Sequence, residues 1–334
     1  MGPSGAGRAE GLPGGSGEVP GAPTRRPTGE GTGPRKPALG TRPARRRPPH
    51  SMRTMAKIHF VRHGRTVLNE QRRTQGSADS PLTPEGREGA RAARDHMASW
   101  PLTRAYLSPQ GRVQQTASIL LETHPEITPV YLEGLREYDY GVYDGGPDEE
   151  MIAALPTEEF LPPVIAGTHP GAPGGIAAAD YLADIDGSLA RVLGDLRTAI
   201  EAGGADDEEV LVVSHGMTIM TIMSRWTDFS VYGMAPMANC SVTTVEVDPT
   251  APGGDPRIVS WAVDPGGQGV TWENKDITSA FDGVTAVPIN WSVLAQDGAP
   301  YATDYPIDPE EVADAVADAA QAAQQEDGDG SARA

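Results

Sequence analysis

From residue 55 onward the apolar residues fall into short runs and longer helical stripes, and each change of period marks an element. "KIHFVR", 57–62, predicts a first strand. "TPEGREGARAARDHMASW", 83–100, predicts a helix with Thr83 as N-cap, Pro84 at the first helical position and an Ala-rich body. "RAYLS", 104–108, is a second strand, and "GRVQQTASILLETH", 111–124, spaces Val113, Ala117, Leu120 and Leu121 at helical period. "TPVYLEGL", 128–135, reads as a third strand. Over 181–203, Leu182, Ile185, Leu189, Leu193, Leu196 and Ile200 line one stripe of an amphipathic helix. "EVLVVS", 209–214, is an apolar run suited to a strand buried on both faces, and it feeds the helix "HGMTIMTIMSRW", 215–226. "SVTTVEV", 241–247, and "RIVSWAV", 257–263, predict two more strands around a Pro/Gly/Asp turn. This alternation argues an α/β domain whose mainly parallel sheet is covered by helices.

Two stretches lack a clear period. Residues 141–180 are rich in Gly, Pro and Ala with one helical patch, "PDEEMIAAL", and read as a cap-like insertion or a long surface loop. "NWSVLAQDGAPYATDYP", 290–306, either packs back on the domain or mediates a homodimer. The domain is therefore placed at 55–305, with an acidic Ala-rich helix and a tail at 306–334.

Composition separates the first 54 residues from the rest. The chain holds 40 Gly and 31 Pro in 334 residues, concentrated enough in 1–54 to predict a disordered tail there. "MAKIHFVRHG" reads as the opening of a first strand, which makes Met52 or Met55 an alternative start of translation. Residues 1–54 carry ten Arg or Lys against three Glu; this +7 leaves −26 on the remaining 280 residues of a chain at −19. An acidic body disfavours nucleic acid, and it disfavours an anionic substrate unless the site is locally basic. No apolar run is long enough for a membrane span or a secretory signal. The single cysteine, Cys240, excludes an internal disulfide and fits a reducing, cytoplasmic setting.

Polar residues gather where strands end. Arg62-His63-Gly64 follows the first strand, and Asn69, Gln75 and Gly76 lie in the loop after it. Arg112 opens the helix after the second strand, Glu137 follows the third, and Ser214-His215-Gly216 follows the fourth. In a doubly wound sheet such loops converge on one crevice. Two Arg, two His and one Glu suit phosphoryl transfer. Arginine forks and a protonated histidine neutralise phosphoryl oxygens, a histidine attacks phosphorus, and a carboxyl group handles the leaving proton. Taken singly each feature is ordinary: Arg-His-Gly is a turn, Glu137 a surface ion pair, and Arg112 a solvated first-turn cation opposed by the helix dipole. A metal site is the main rival, because His59 and His63 are four apart, yet no cysteine or carboxylate cluster completes a ligand set. There is neither a P-loop nor a dinucleotide fingerprint.

Together, "VRHGRTVLN", "TQGSADSPLTPEGREGA", "YLSPQGRVQQTA", "LREYDYGVYDG", "VVSHG" and "NCSVTTVEV" resemble, in order over about 56–265, the histidine phosphatase (phosphoglycerate mutase-like) superfamily. The resemblance implies a three-layer α/β/α sandwich and a phosphohistidine mechanism with no metal or other cofactor. It implies His63 as nucleophile, Arg62, Arg112 and His215 as the phosphate pocket, and Glu137 as proton donor. Gly64, Asn69, Gln75, Gly76 and the backbone amides of Gly216 and Met217 fall at the family's phosphate and substrate contacts. The mutases of that superfamily place an arginine after the catalytic glutamate and paired arginines in the following insertion. Here the first position is Tyr138, and 141–190 contain no Arg or Lys. The expectation is a hydrolase of a small phosphorylated metabolite, with a bisphosphoglycerate-dependent mutase or a non-catalytic phosphate-binding module as alternatives.

Overall fold

Among the described residues the apolar runs assemble into one sheet of six strands. The computed structural model describes residues 55–203, 208–270 and 275–300. The first half contains β1 (Ala56–Arg62), a short α1 (Val67–Glu70), α2 (Pro84–Met97), β2 (Leu102–Leu107), α3 (Gly111–Leu120) and β3 (Val130–Tyr131). Then follow α4 (Asp148–Ala154), α5 (Thr157–Ile165), α6 (Ala178–Glu201), β4 (Glu209–Ser214), α7 (Gly216–Trp226), β5 (Val242–Val247) and β6 (Arg257–Val263). The tail expected at 1–54 and the acidic helix expected at 306–334 lie outside the described residues.

The strand order is β3-β2-β4-β1-β5-β6. The pairs β1–β4, β2–β4 and β2–β3 are parallel, and only β5 runs against its neighbours. The sheet is therefore mainly parallel, and its period of two divides the core. Val210 and Val212 of β4 face one apolar cluster with α6 and α7, whereas Leu211 and Val213 face a second with α2 and α3. All six residues of β4 are buried, as its run of apolar positions requires. The result is a helix–sheet–helix sandwich.

The layers also create the crevice. Strands β1 and β4 lie side by side with Arg62 opposite Ser214. The chain leaves β1 toward α2 on one face and leaves β4 into α7 on the other. Adjacent parallel strands whose connections part to opposite faces open a cleft at their carboxyl ends.

Two expectations change in detail. The third strand, expected over 128–135, pairs only at Val130 and Tyr131 and tightens into a 3₁₀ turn at Glu133–Leu135. Gly134 explains why, since a Cβ there would come within 1.8 Å of the Asp184 carbonyl oxygen on α6. The chain turns against α6 and so carries Glu137 inward. Helix α5 was not expected, because Pro162 and Pro163 sit inside it and remove two backbone donors. Phe160, Val164 and Ile165 are buried in the core on its inner side, and that packing holds it. Residues 290–300 pack back on the domain: the Trp291 ring lies 6.0 Å from that of Trp226, and Asp297 pairs with Arg191. His59 is a strand residue, buried between Thr244 and Glu209 and against Trp100.

Candidate active site

His63 is held by backbone before any side chain touches it. Its N–H donates to the Ser214 carbonyl at 3.0 Å, and its carbonyl accepts from Asn239 Nδ2 at 2.9 Å. The Gly64 N–H donates to Thr116 Oγ1 at 2.9 Å. Gly64 admits no side chain, because a Cβ would meet the Gly86 carbonyl oxygen at 2.8 Å. His63 Nδ1 stands 2.8 Å from the Gly64 carbonyl. A carbonyl oxygen only accepts, so Nδ1 carries the hydrogen and Nε2 keeps its lone pair. Burial, with Arg112 and Arg62 adding repulsion, holds the ring's pKa well below the ordinary histidine value. The histidine is neutral, with the Nε2 lone pair open.

Arg62 Nη1 donates to the Met237 carbonyl at 2.8 Å. Burial brings its pKa down to about 10, which leaves it a cation at neutral pH. Arg112 and His215 are fully buried behind His63, and the two imidazole rings lie 5.2 Å apart. Arg112 Nε donates to His215 Nδ1 at 3.2 Å, so the other nitrogen, Nε2, carries the hydrogen, and it donates to Ser108 Oγ at 2.9 Å. Burial, followed by Arg112, pushes the His215 pKa well below its ordinary value. Sequence reasoning treats this histidine as a cation; in the fold it is a neutral donor whose tautomer Arg112 sets.

The first-turn cation also finds its reason. Arg112 donates to the carbonyls of Ala78 and Gly76 at 2.9 Å each and pairs with Asp79 at 3.0 Å. Asp79 in turn accepts the Gly111 N–H at the start of α3. One carboxylate thus caps the helix and offsets the arginine buried in its first turn. Asp79 was missed, although a cation at a helix N-terminus asks for a counter-ion nearby. Asn239 was missed as well, because its link to His63 spans 176 residues of sequence.

Glu137 is held at the start of α7. Its Oε2 accepts the Met217 N–H at 3.0 Å, and its Oε1 accepts the Thr218 N–H at 3.0 Å with Thr218 Oγ1 at 2.9 Å. Met217 was expected to offer its amide to phosphate; that amide instead orients the carboxylate, and the Met217 side chain lines the cavity. Gly216 lies against the Arg62 guanidinium, where a Cβ would sit 3.4 Å from Nε. Asn69 accepts the Thr66 N–H, and Gln75 accepts from the Thr66 hydroxyl at 2.7 Å; both face the cavity. Gly76 faces Arg112 rather than the cavity, and no larger residue fits, with Tyr138 O only 2.1 Å from its would-be Cβ.

The cavity before His63 has two arms that share Arg62, Glu137, Tyr140 and Met151. One, about 510 Å³, contains His63, Asn69 and Gln75; the other, about 420 Å³, contains Gly216 and Met217. Among the described residues no group of three or more His, Cys, Asp or Glu stands together as a metal-ligand set, and no helix is long and apolar enough to cross a membrane.

Residues 58–263 match the family model of the histidine phosphatase superfamily, branch 1. The chain belongs to the histidine phosphatase superfamily. A similar relative is the probable phosphoglycerate mutase GpmB of Yersinia enterocolitica, 31% identical over 199 residues, 58% of this chain and 85% of the relative. The corresponding Enterobacter protein is 29% identical over 58% of this chain and 85% of its own length. Among solved structures, a phosphoglycerate mutase from Bacillus anthracis aligns with a TM-score of 0.54 at 24% identity, covering 64% of this chain and 95% of that one. A mycobacterial glucosyl-3-phosphoglycerate phosphatase aligns with a TM-score of 0.50 at 23% identity, over 63% of this chain and 99% of that one. Both structures share the superfamily's fold. The fold is common to a mutase-named and a phosphatase-named structure, so it does not by itself separate the two reactions.

Proposed function

We propose that the chain is a phosphomonoester hydrolase that forms a phosphohistidine on His63. The observation that carries this is the Gly64 carbonyl on Nδ1, which leaves the Nε2 lone pair of a neutral ring beside Arg62 and Glu137. In the first step Nε2 attacks phosphorus, the P–O ester bond breaks, and the Glu137 carboxyl passes its proton to the departing alcohol. In the second step the Glu137 carboxylate takes a proton from water, the water oxygen attacks phosphorus, and the N–P bond returns its electron pair to His63. Arg62 neutralises phosphoryl charge directly. Arg112 acts from behind as a buried cation and through His215, whose Nε2–H can turn from Ser108 to a phosphoryl oxygen. These groups supply the charge compensation without calling on a metal.

Hydrolysis is favoured over mutase transfer by the segment that follows Glu137. A mutase must hold a second anionic group through two half-transfers. Tyr138, at the position after Glu137, is buried and donates to the Ile176 carbonyl. Helices α4 and α5 bring Asp148, Glu149, Met151, Leu155 and Phe160 to the cavity, and neither contributes a cation. The names of the curated relatives support the mutase alternative. The test is rapid quench with ³²P-labelled ester. An acid-labile, base-stable phosphoprotein that decays to inorganic phosphate, absent from His63→Ala, is expected. Undiminished turnover by His63→Ala rules the reading out, and phosphoglycerate isomerisation primed by bisphosphoglycerate favours the mutase.

A further inference from the structure

The two arms differ in chemistry, and Glu137 faces both. The larger arm carries Arg65, Arg72 and Arg73, and two of the three are already engaged. Arg65 pairs with Glu70, Arg73 Nε is bound to the Gly145 carbonyl, and Asp148 and Glu149 share the wall. An anionic alcohol placed there would meet carboxylates as well as guanidinium groups. Beyond Arg62 and Glu137 at its mouth, the smaller arm is built from Met151, Leu155, Phe160, Met220, Val231 and Met237. Three of its polar groups are engaged elsewhere: Tyr140 donates to Met217 Sδ, Tyr232 donates to Ser224, and Lys275 at the rim pairs with Glu158. Five of the chain's ten methionines line this arm, a composition that adapts to varied apolar shapes and offers little to a polyol.

We infer that the site takes phosphomonoesters of apolar alcohols, aliphatic or aromatic, with the alcohol seated in the methionine-lined arm. This rests on the hydrolase reading above. A phosphoryl group between His63 Nε2 and Glu137 directs its leaving oxygen toward Glu137, where the apolar arm begins. The alcohol then leaves water for a cavity with few polar partners, so its own hydroxyls are penalised and its methylenes rewarded. Leu155, at the end of α4, and Phe160, on α5, make the insertion between Glu137 and α6 the element that selects the alcohol.

The experiment uses two series on the full chain. In the first, kcat/KM is measured for n-alkyl phosphates from methyl to octyl, with 3-phosphoglycerate and glycerol phosphate alongside. In the second, calorimetry gives the affinity of the matching n-alkylphosphonates, which bind but cannot be hydrolysed at a P–O–C bond. Both should rise about threefold to fourfold per methylene until the arm is filled, and both hydroxylated esters should fall below butyl phosphate. Leu155→Lys should lower the octyl-to-ethyl ratio at least tenfold, with its melting temperature recorded alongside; a failure of that variant to fold leaves the wild-type series to decide. Turnover that is flat in chain length, or fastest on 3-phosphoglycerate, overturns the apolar-alcohol inference and leaves the hydrolase standing. Phosphonate affinity that climbs while no ester is cleaved supports the arm and overturns the hydrolase. Flat affinity without turnover overturns both.

Discussion

Asp79→Asn removes one charge at nearly constant shape and tests why Arg112 is tolerated in the first turn of α3. The two side chains are 0% and 4% exposed and 3.0 Å apart. At an effective dielectric of about 20 their gross attraction is roughly 5–6 kcal/mol, part of which repays the desolvation of Asp79. Breaking a buried pair from one side costs about 3–5 kcal/mol net, because the remaining charge is stranded. Arg112 keeps the Ala78 and Gly76 carbonyls, and asparagine can still accept one N–H, so the lower end, about 3 kcal/mol, is expected. For a domain of this size that corresponds to about 6–12 °C in melting temperature. Arg112 also orients His215, so the variant should lose at least tenfold in phosphoryl transfer even well below its melting point. Scanning calorimetry and a nitrophenyl phosphate assay check the two effects on one sample. A melting temperature within about 2 °C of the parent, with an unchanged rate, would refute the coupling of helix cap, buried cation and site.

Glu137→Gln should slow alkyl phosphates about 10²–10⁴-fold and nitrophenyl phosphate far less, since nitrophenolate leaves without a proton; equal slowing would remove the acid role. Thr218→Val deletes the hydroxyl that reaches Glu137 Oε1 and the Arg136 carbonyl. It should reduce kcat about tenfold with little change in KM, whereas a merely structural role would lower the melting temperature alone. His63 and His215 have folded pKa values depressed below 6.5, so the unfolded chain binds more protons there. Their stabilising contribution is therefore present above about pH 6.5 and lost as pH falls below it. Melting temperatures from pH 8 to 4.5 should show the decline in the parent and a weaker one in His63→Ala. Treatment with EDTA should leave the hydrolysis rate unchanged, and loss restored by a divalent cation would contradict the proposed steps.

The elements legible in the sequence were those whose own period matched their burial. Strand β4 is one, buried on both faces with four consecutive apolar residues; α2 is another, with Thr83 and Pro84 at its start as read. Strand β3 was overextended because Leu132 and Leu135 suggest a strand, whereas Gly134 packed on α6 forces the turn. Helix α5 escaped because two prolines outweigh, locally, the apolar side chains that tertiary packing rewards.

The site divides along the same line. The identity of the groups at the strand ends was in the sequence by itself, because β-α order sends the loops after β1, β2, β3 and β4 to one edge whatever their length. Hence His63, Arg62, Glu137, Arg112 and His215 could be named from the residues alone. Their states could not. That Nε2 of His63 is the bare nitrogen depends on the Gly64 carbonyl, that His215 is neutral depends on burial beside Arg112, and that Glu137 is aimed depends on amides 80 and 81 residues away. The apolar arm joins α4, α5, α7 and residues 231–237, no two of which announce a shared surface in sequence. Local periodicity reports how a segment meets a core; protonation, orientation and cavity chemistry arise from distant partners that only the packed fold brings into contact.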